Sequence, residues 1–545
     1  MKIVQCIVLT FILSFSFQFI AQNPNWQWAK NSGGNNDESS NSVVTDAAGN
    51  VFVTGNFASP TMIFGSFTLT NVNNYDVFLV KYDPLGNVLW AKSGGGIFDD
   101  IGWGVATDAP GNVIITGSFY SPTIIFDTYT LSSSGGADIF VVKYDVNGNI
   151  IWAKNEGGNF NDNGFGIASD INNNILITGS FRSAAFVTGT TTLTNTGIDD
   201  YFIIKYDALG NTIWAKSGDG STNDQGNGIT TDAAGNIYTT GFFYSPAFIL
   251  DSFTLTPQGS NDFFVTKYDA MGNVLWAKSG GGTFNDFGYG IAADVFGNVL
   301  ITGAFNSPTL TAGSFSTVLV ANFDILTAKY NSSGNEVWLK SHGGSDDEAG
   351  FGITSDIFGQ IYIAGHFHSP SVVIGTFTLS NQGIGDIYIA RYDALGNILW
   401  ANNEGGASDE QGTSLAIDAS SNIYVAGYFY SPTLTIGSNT LISSGMSDMF
   451  VAKLESIVTI NSEKLLKLSD ALVYPNPSSG QIHVLNSKSK INKLEIYNLM
   501  GEKSSETDIH EITDSAVNMS IPLKGIYFLK IFTDEGIISK RLIIQ

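Results

Sequence analysis

Seven acidic residues recur at one fixed position of the sequence, ten residues after a tryptophan that itself returns every 62 residues. They are Glu38, Asp100, Asp162, Asp224, Asp286, Glu348 and Glu410. Seven carboxylates around one axis would attract Ca²⁺, which prefers oxygen ligands. No Asp-x-Asp-x-Asp-Gly run accompanies them, and a carboxylate that caps its own turn explains the recurrence equally well. The pattern therefore leaves two interpretations open, a weak calcium site and a structural cap.

A second position varies from repeat to repeat, although its neighbours stay nearly constant. The residue before each Ser-Pro segment is Ala58, Tyr120, Arg182, Tyr244, Asn306, His368 or Tyr430. Aromatic and planar side chains at the mouth of a loop suit stacking against a sugar or a peptide. The candidate ligand-binding residues are therefore Tyr120, Arg182, Tyr244, His368 and Tyr430. Variable positions that merely face solvent would show the same pattern.

The sequence contains no recognisable catalytic constellation. His366 and His368 are two residues apart and could bind a metal on one strand face, but a third ligand is not evident. His510-Glu511 lacks the second histidine of a zinc protease motif, and Gly-x-Ser-x-Gly, phosphate-loop and dinucleotide fingerprints are absent. We therefore predict that the protein is not an enzyme and needs no cofactor, apart from the weak calcium candidates.

The acids and the variable positions belong to a repeat that predicts four strands. The repeated tryptophans are Trp28, Trp90, Trp152, Trp214, Trp276, Trp338 and Trp400. Each period alternates apolar and polar residues between Asp-x-x-Gly-Asn turns, which indicates strand, hairpin, strand, hairpin. We name the strands A (Gly-x-Gly-Ile-Ala), B (ending Thr-Gly-x-Phe), C (ending Lys-Tyr-Asp) and D (Trp-Ala-Lys). Paired glycines such as Gly228 and Gly290 are interpreted as structural, because A strands converge near an axis and need room there.

The ends of the array predict a closed ring. Four-stranded antiparallel units repeated radially form a β-propeller. The last repeat stops after its C strand at Lys453, whereas the first Trp-Ala-Lys, at Trp28, precedes any A strand. An open seventh blade would expose a sheet edge. We therefore predict an all-β fold with a seven-bladed propeller at residues 22–454, closed by an N-terminal outer strand.

The direction of the strands predicts which loops share a face. The D–A loops and the B–C insertions lie on one face, and the two Asp-x-x-Gly-Asn hairpins of each blade lie on the other. The first face has the longer loops, and we expect both of its loop types near the central mouth. Ligands are therefore expected on that face.

The repeated phrases also resemble a known family. Gly-x-Gly-Ile-Ala-x-Asp, Gly-Asn-Ile-Tyr-x-x-Gly and Asp-x-Phe-x-x-Lys-Tyr-Asp are similar to the bacterial SBBP β-propeller repeat. The resemblance covers roughly residues 26 to 454. Because that family carries no single known activity, the resemblance implies an architecture rather than a chemistry.

The ends and the charge of the chain indicate export. Residues 1–21 contain Lys2 followed by an apolar run, which is typical of a signal peptide. Its removal takes away Cys6, the single cysteine, so the mature chain has no disulfide. No later stretch is long and apolar enough for a membrane span. The propeller holds 38 acidic against 14 basic residues, an excess that repels nucleic acid.

After a linker at 455–473, residues 474–545 show short alternating strands that predict a small β-sandwich. Three stretches of this segment resemble the type A C-terminal sorting domain of the type IX secretion system in Bacteroidetes. They are Tyr474-Pro475-Asn476-Pro477, residues 496–501 and Gly525-Ile-Tyr527-Phe-Leu-Lys530 with a closing Lys540. The resemblance implies export across the outer membrane by that machinery, and a location that is secreted or at the outer-membrane cell surface.

These observations favour an exported binding or scaffold module. Its predicted partners are the type IX secretion machinery and a surface glycan or protein. The alternative is an extracellular carbohydrate-active enzyme, a glycosidase or lyase with a carboxylate site at the channel mouth. A catalytic site usually breaks the symmetry of a repeat at a pair of acids. Because the acids recur evenly here, binding is the favoured interpretation.

Overall fold

The computed structural model describes residues 25–455 and the segments 471–474, 481–486, 491–497, 503–508, 516–520, 525–533 and 537–544. Every regular element in these ranges is a β-strand. The predicted signal peptide at 1–21 lies outside the described residues, as does nearly all of the predicted linker at 455–473.

Residues 26–454 form seven blades, each with four antiparallel strands, A to D. The A strands are β2 (Glu38–Thr45), β8 (Asp100–Thr107), β14 (Asp162–Ser169), β20 (Asp224–Thr231), β26 (Asp286–Ala293), β32 (Glu348–Ser355) and β38 (Glu410–Ile417). The B strands are β3 (Val51–Phe57), β9 (Val113–Phe119), β15 (Ile175–Phe181), β21 (Ile237–Phe243), β27 (Val299–Phe305), β33 (Ile361–Phe367) and β39 (Ile423–Phe429).

The other two strands of each blade follow in the same way. The C strands are β6 (Asp76–Tyr82), β12 (Asp138–Tyr144), β18 (Asp200–Tyr206), β24 (Asp262–Tyr268), β30 (Asp324–Tyr330), β36 (Asp386–Tyr392) and β42 (Asp448–Leu454). The D strands are β7 (Val88–Gly95), β13 (Ile150–Glu156), β19 (Thr212–Ser217), β25 (Val274–Gly281), β31 (Glu336–His342), β37 (Ile398–Glu404) and β1 (Trp26–Ser32). In every sheet the order is D-C-B-A, and the A strands surround a central channel.

The first strand of the chain closes the ring, as predicted. Strand β1 pairs with β42, placing Asn31 opposite Phe450 and Trp28 opposite Lys453. It thereby supplies the D strand of the seventh blade, whose other strands are β38, β39 and β42. On the channel side, the Ser40 hydroxyl donates a hydrogen bond to the Gly427 carbonyl at 2.6 Å. First and last repeats are therefore joined at both edges of the blade.

Adjacent blades are held together where each tryptophan meets the next C–D turn. The indole Nε1 of Trp90 and the ammonium of Lys81 both donate to the Val146 carbonyl, at 3.2 and 3.1 Å. Gly148 in that turn has φ +82°, and a Cβ there would lie 3.0 Å from the Trp90 ring. Glycine is therefore required by backbone conformation and by space. B and C strands are buried throughout most blades because each sheet is covered on both faces.

The B–C insertions form two-stranded hairpins on the outer rim. They are β4–β5 (Thr61–Phe64, Phe67–Thr70), β10–β11 (Thr123–Phe126, Tyr129–Ser132), β16–β17 (Ala185–Thr188, Thr191–Thr194), β22–β23 (Phe248–Leu250, Phe253–Leu255), β28–β29 (Thr309–Ala312, Phe315–Val318), β34–β35 (Ser371–Ile374, Phe377–Ser380) and β40–β41 (Thr433–Ile436, Asn439–Ile442). Strand β10 pairs with β7, the outermost strand of the preceding blade. The expectation that these insertions lie near the central mouth was therefore wrong for the hairpins, because their apolar side chains cover the open edge of the neighbouring D strand. Insertion residues that flank the hairpins, Tyr75, Tyr430 and Ser447, do border the channel.

The C-terminal segment folds into two sheets, as predicted for a small sandwich. One sheet contains β43 (Ala471–Tyr474), β44 (Gln481–Asn486) and β47 (Ala516–Ser520). The other contains β45 (Ile491–Tyr497), β46 (Lys503–Asp508), β48 (Gly525–Thr533) and β49 (Ile537–Ile544). Val484 of the first sheet is buried with Leu494, Leu529 and Leu542 of the second. Across the residues that the structure describes, no helix has the length and apolar character to cross a membrane.

Candidate functional site at the channel mouth

Each A strand carries one extra residue, a β-bulge, at the middle of its Gly-x-Gly segment, which reads Ser40-Asn41-Ser42 in blade one and Gly412-Thr413-Ser414 in blade seven. In the second blade Gly102 pairs with Gly117 and Gly104 with Thr116, so Trp103 has no partner on strand B. The same shift occurs in all seven blades. A bulge turns the extra side chain to a new direction. Here the extra residues line the channel, and we call them the belt: Asn41, Trp103, Phe165, Asn227, Tyr289, Phe351 and Thr413.

Small residues flank the belt because neighbouring A strands approach closely. A Cβ on Gly104 would lie 2.8 Å from the Ile167 side chain of the next blade. A Cβ on Gly164 would lie 2.8 Å from the Thr116 hydroxyl of the preceding blade. The paired glycines are therefore structural, as the sequence indicated, whereas the residue between them is free to vary.

The belt divides the channel into two cavities, and all seven belt residues line both. The upper cavity, about 590 Å³, opens between the D–A loops and is bordered by Asp37, Tyr75 and Tyr430. The lower cavity, about 400 Å³, runs along the distal halves of the A strands. Both volumes fall within the usual range of small-ligand sites. Because Tyr75, Tyr428 and Tyr430 join the belt at the upper cavity, we take the channel mouth as the candidate ligand site.

Aromatic rings make up two sides of the belt. Trp103 and Phe165, in blades two and three, have ring centroids 5.6 Å apart. Tyr289 and Phe351, in blades five and six, have centroids 5.1 Å apart. In a seven-membered ring these two pairs lie on nearly opposite sides. The channel mouth therefore has two aromatic walls.

Polar side chains occupy the remaining sides and are held in place by the next blade. The Asn41 amide donates to the Gly102 carbonyl at 2.9 Å, and the Asn227 amide donates to the Gly288 carbonyl at 2.8 Å. The Thr413 hydroxyl donates to the Ser40 carbonyl at 2.7 Å. These bonds orient the polar groups before any ligand arrives, which lowers the entropy cost of binding.

The seven recurring acids are fully buried, and each accepts hydrogen bonds from its own blade. In every blade the acid accepts a hydrogen bond from the backbone N–H of the serine after the variable position, which is followed by Ala184 in blade three and by proline in the other six. The Ser121 hydroxyl also donates to Asp100 at 2.9 Å. Within the described parts of the chain, no three His, Cys, Asp or Glu side chains are placed to hold a metal. The geometry thus favours the capping interpretation of these acids over the calcium interpretation.

A second ring of buried acids lies beside the first, at the start of each C strand. Its members are Asp76, Asp138, Asp200, Asp262, Asp324, Asp386 and Asp448. Burial, aided by the charge of Asp100, raises the pKa of Asp76 to about 7, and burial raises the pKa of Asp100 to about 7. One oxygen of Asp76 has no hydrogen-bond partner. The sequence analysis did not single out this ring, although its spacing of 62 residues is visible there.

The variable residues before the Ser-Pro segments lie on the predicted face but do not form one site. The Tyr120 N–H, for example, donates to the Asp99 carbonyl in the D–A loop at 2.9 Å. Tyr430 is the only one of the five candidates that borders the upper cavity. The Arg182 guanidinium is held by two hydrogen bonds to Asp199, at 2.8 and 2.6 Å. Tyr244, like Tyr120, is exposed outside the cavity.

The two histidines of blade six connect the belt to the surface. The His366 ring packs on Phe351 at 5.4 Å and on His368 at 4.7 Å between centroids. Burial lowers the pKa of His366 to about 4, whereas a hydrogen bond with Asp409 raises the pKa of His368. The Nε2 of His368 lies 3.0 Å from the Asp409 carboxylate. The pair supports the belt from behind.

The belt itself was missed by sequence analysis. Its only signal is that x in Gly-x-Gly changes between amide, hydroxyl and aromatic residues while both neighbours stay small. Because the fold accepts an amide, a hydroxyl or an aromatic residue at this position, the choice among them indicates a functional role rather than a structural one.

The sorting motif falls partly within the described strands. Tyr474 ends β43 opposite His483, and Gly525 begins β48 opposite Ile544. Tyr527 is buried, and Lys540 pairs with Leu529. The remaining motif residues, Pro475, Asn476 and Pro477, lie outside the described residues.

Residues 472–545 match a family model described as a secretion system C-terminal sorting domain. The chain therefore carries a type IX sorting domain, and the protein is secreted to the cell surface or outer membrane.

Relatives of the whole chain are distant. The chain is 25% identical over 536 residues to an uncharacterised WD repeat-containing protein of Acanthamoeba polyphaga mimivirus, covering 79% of this chain and 38% of that protein. It is 25% identical over 188 residues to a regulatory protein of Caulobacter vibrioides, covering 32% and 20%. The chain thus spans less than half the length of the curated relatives it matches.

Two solved structures match most of this chain at low identity. The WD40 domain of Neurospora crassa Pan2 matches over 77% of this chain and 90% of that domain, with 9% identity and a TM-score of 0.37. Sqt1 from Chaetomium thermophilum matches over 82% and 96%, with 9% identity and a TM-score of 0.34.

Proposed function

We propose that the protein is an exported surface module that binds its ligand at the channel mouth. The aromatic belt carries this proposal. In three blades the belt position holds Asn41, Asn227 and Thr413, so the fold does not require an aromatic ring there. Four aromatic side chains at such a position, partly open to a cavity, are better explained by contact with a ligand.

The charge around the mouth narrows the ligand class. Among the described residues that border the upper cavity there is no Lys or Arg, and Asp37 contributes a carboxylate. The propeller as a whole is strongly acidic. Phosphate backbones and other polyanions are repelled by such a surface, so the proposed ligands are neutral or basic.

The sorting domain defines the first proposed partner. We propose that the type IX machinery recognises Tyr474, Pro475, Asn476, Pro477, Gly525, Tyr527 and Lys540. The propeller at 22–454 and the sorting domain at 474–545 act as separate domains in this proposal, joined by the linker at 455–473. Limited proteolysis that cuts first between 455 and 473 would support this division.

A carbohydrate-active enzyme is the second candidate, and the mouth favours it less. Glycoside hydrolysis usually requires two carboxyl groups flanking the scissile bond. The acids that border the upper cavity are Asp37 and Glu38. Glu38 is buried and accepts hydrogen bonds from the N–H groups of Gly34 and Ser59, at 2.7 and 3.0 Å. If the protein released reducing ends from any of a panel of polysaccharides, the enzyme function would become the favoured one.

Binding is tested with the secreted chain, a printed array of neutral and acidic glycans, and a displayed peptide library. Trp103→Asn uses a residue that the repeat itself accepts at this position. Leu209→Asn, an exposed change in the C–D turn on the opposite face, is the matched control. Ligands lost by Trp103→Asn and kept by Leu209→Asn support the proposal. Ligands that both variants retain, or no ligand at all, contradict it.

A further inference from the structure

The shape of the belt points to a particular class of ligand. Its aromatic walls, Trp103 with Phe165 and Tyr289 with Phe351, belong to blades on nearly opposite sides of the channel. Asn227 lies between the walls on one side, with Asn41 and Thr413 on the other. At the level of the belt the channel therefore has two aromatic sides and two polar sides. Above the belt, Tyr75, Tyr428 and Tyr430 also border the upper cavity.

A pyranose ring has the complementary distribution of chemistry. Its two faces present C–H groups that pack on aromatic rings, and its rim carries hydroxyl groups that both donate and accept hydrogen bonds. An aliphatic side chain would leave the polar sides of the belt unused. A flat aromatic group would match the walls but offer few partners to the amide and hydroxyl groups at the edges.

The groups above the belt fit an uncharged sugar chain. Ser39, Asn56 and Gln411 border the upper cavity and provide neutral hydrogen-bonding groups. Asp37 there accepts a hydrogen bond from the Ser447 hydroxyl at 3.1 Å, and a carboxylate can also accept from sugar hydroxyls. A uronic acid or a sulfated sugar would meet this carboxylate without a compensating cation.

We propose that the belt holds the terminal ring of an uncharged pyranose chain, which enters through the upper cavity with its faces toward the two aromatic walls. This inference rests on the proposed binding function and specifies its ligand. Trp103, Phe165, Tyr289 and Phe351 supply the stacking surface. Asn41, Asn227 and Thr413 supply the polar edges, already oriented by the neighbouring blades.

Tryptophan fluorescence of the full secreted chain tests the inference. The probes are cellotriose, maltotriose, xylotriose and a mannotriose, with trigalacturonic acid as the charged counterpart. We expect at least one neutral trisaccharide to shift the emission and trigalacturonic acid to leave it unchanged. Calorimetry, which does not depend on the Trp103 fluorophore, should show binding lost in Trp103→Asn. It should show binding weakened about tenfold or more by Phe351→Leu, which keeps an apolar side chain but removes the ring.

Leu209→Asn is the matched control and should bind as the wild type does, and melting temperatures of all variants establish that they are folded. The inference is overturned if no neutral trisaccharide binds, or if Trp103→Asn and Phe351→Leu bind it unchanged. A peptide ligand that needs Trp103, without any saccharide binding, overturns the sugar inference but leaves the proposed function standing. Absence of any belt-dependent ligand in either class overturns both.

Discussion

The Asp100 side chain illustrates how a recurring acid stabilises its blade. The Ser121 hydroxyl donates to Asp100 and accepts from the Phe98 N–H at 2.9 Å. Ser121→Ala would leave both partners buried and short of a hydrogen bond. We expect the free energy of unfolding to fall by about 1–3 kcal/mol, measured by urea denaturation. Ser132→Ala, an exposed serine in the same repeat, should change it little, and equal effects of the two variants would contradict the capping role.

The same hydrogen bonds predict a weak response to calcium. The Asp100 oxygens already accept bonds from Ser121, and the other six acids are buried in the same way. Calcium binding would require those bonds to break. Titration of Ca²⁺ into the metal-free chain should therefore release no measurable heat. A saturable heat that disappears in Asp100→Asn would restore the calcium interpretation.

At the residue scale the sequence located the acids but could not assign their role, because recurrence does not show which donors a carboxylate meets. It located the glycines around Trp103 and missed the belt, because a β-bulge leaves no mark in a regular alternation. Nothing in the sequence indicated that Asp76 lies beside Asp100. The two rings of acids are separated in sequence and meet only across the junction between blades.

At the scale of elements, β1 is the strand on which the ring depends. It buries Trp26 and Trp28 and pairs with β42 along its length. Deleting residues 23–30 removes both tryptophans and opens the edge of the seventh blade. Loss of each large aromatic core side chain costs about 3–5 kcal/mol, so we expect a strong decrease in melting temperature by calorimetry. Deleting only residues 22–24 is the control, and an unchanged melt for 23–30 would contradict closure through β1.

The order of the strands was predictable and the position of the hairpins was not. A period of 62 residues without insertions preserves the turn residues and the alternation that define each strand. Whether Ile125 and its hairpin lie over the mouth or on the rim depends on packing against a different blade. That contact, with Gly95 of β7, has no signature in the local pattern.

At the scale of the whole molecule, the seven junctions between blades bury paired acids. Burial raises the pKa of Asp76, Asp100 and Asp262 to about 7, and of several others to about 6. An aspartate in the unfolded chain titrates near pH 3.9. The folded protein therefore binds more protons than the unfolded chain between about pH 4 and 7. This part of the stability is complete below about pH 4 and is lost as the pH rises from about 4 to about 7.

The aspartates of the exposed turns have lowered pKa values, so their contribution to stability is lost at acid pH. Hydrogen bonds from Asn87 and its turn lower the pKa of Asp83, so its contribution is lost as the pH falls through that lowered pKa. We therefore expect the melting temperature to be highest near pH 4 and to decline as the pH rises to about 7. The net charge of −24 also disfavours the compact state at high pH, but 0.5 M NaCl screens that effect far more than it screens buried pairs.

Asp76→Asn tests the pH dependence of a single blade junction, because it removes one titrating group and leaves the others in place. The amide oxygen can still accept from the Val72 N–H, which donates to Asp76 at 2.8 Å, while the titrating group is gone. We expect this variant to match the wild type near pH 4 and to exceed its free energy of unfolding at pH 8, because the two curves diverge as the pH rises from about 4 to 7. Asp83→Asn, in an exposed turn, should diverge only at acid pH. Parallel curves for Asp76→Asn and the wild type between pH 5 and 8 would show that this acid is already ionised in the folded blade.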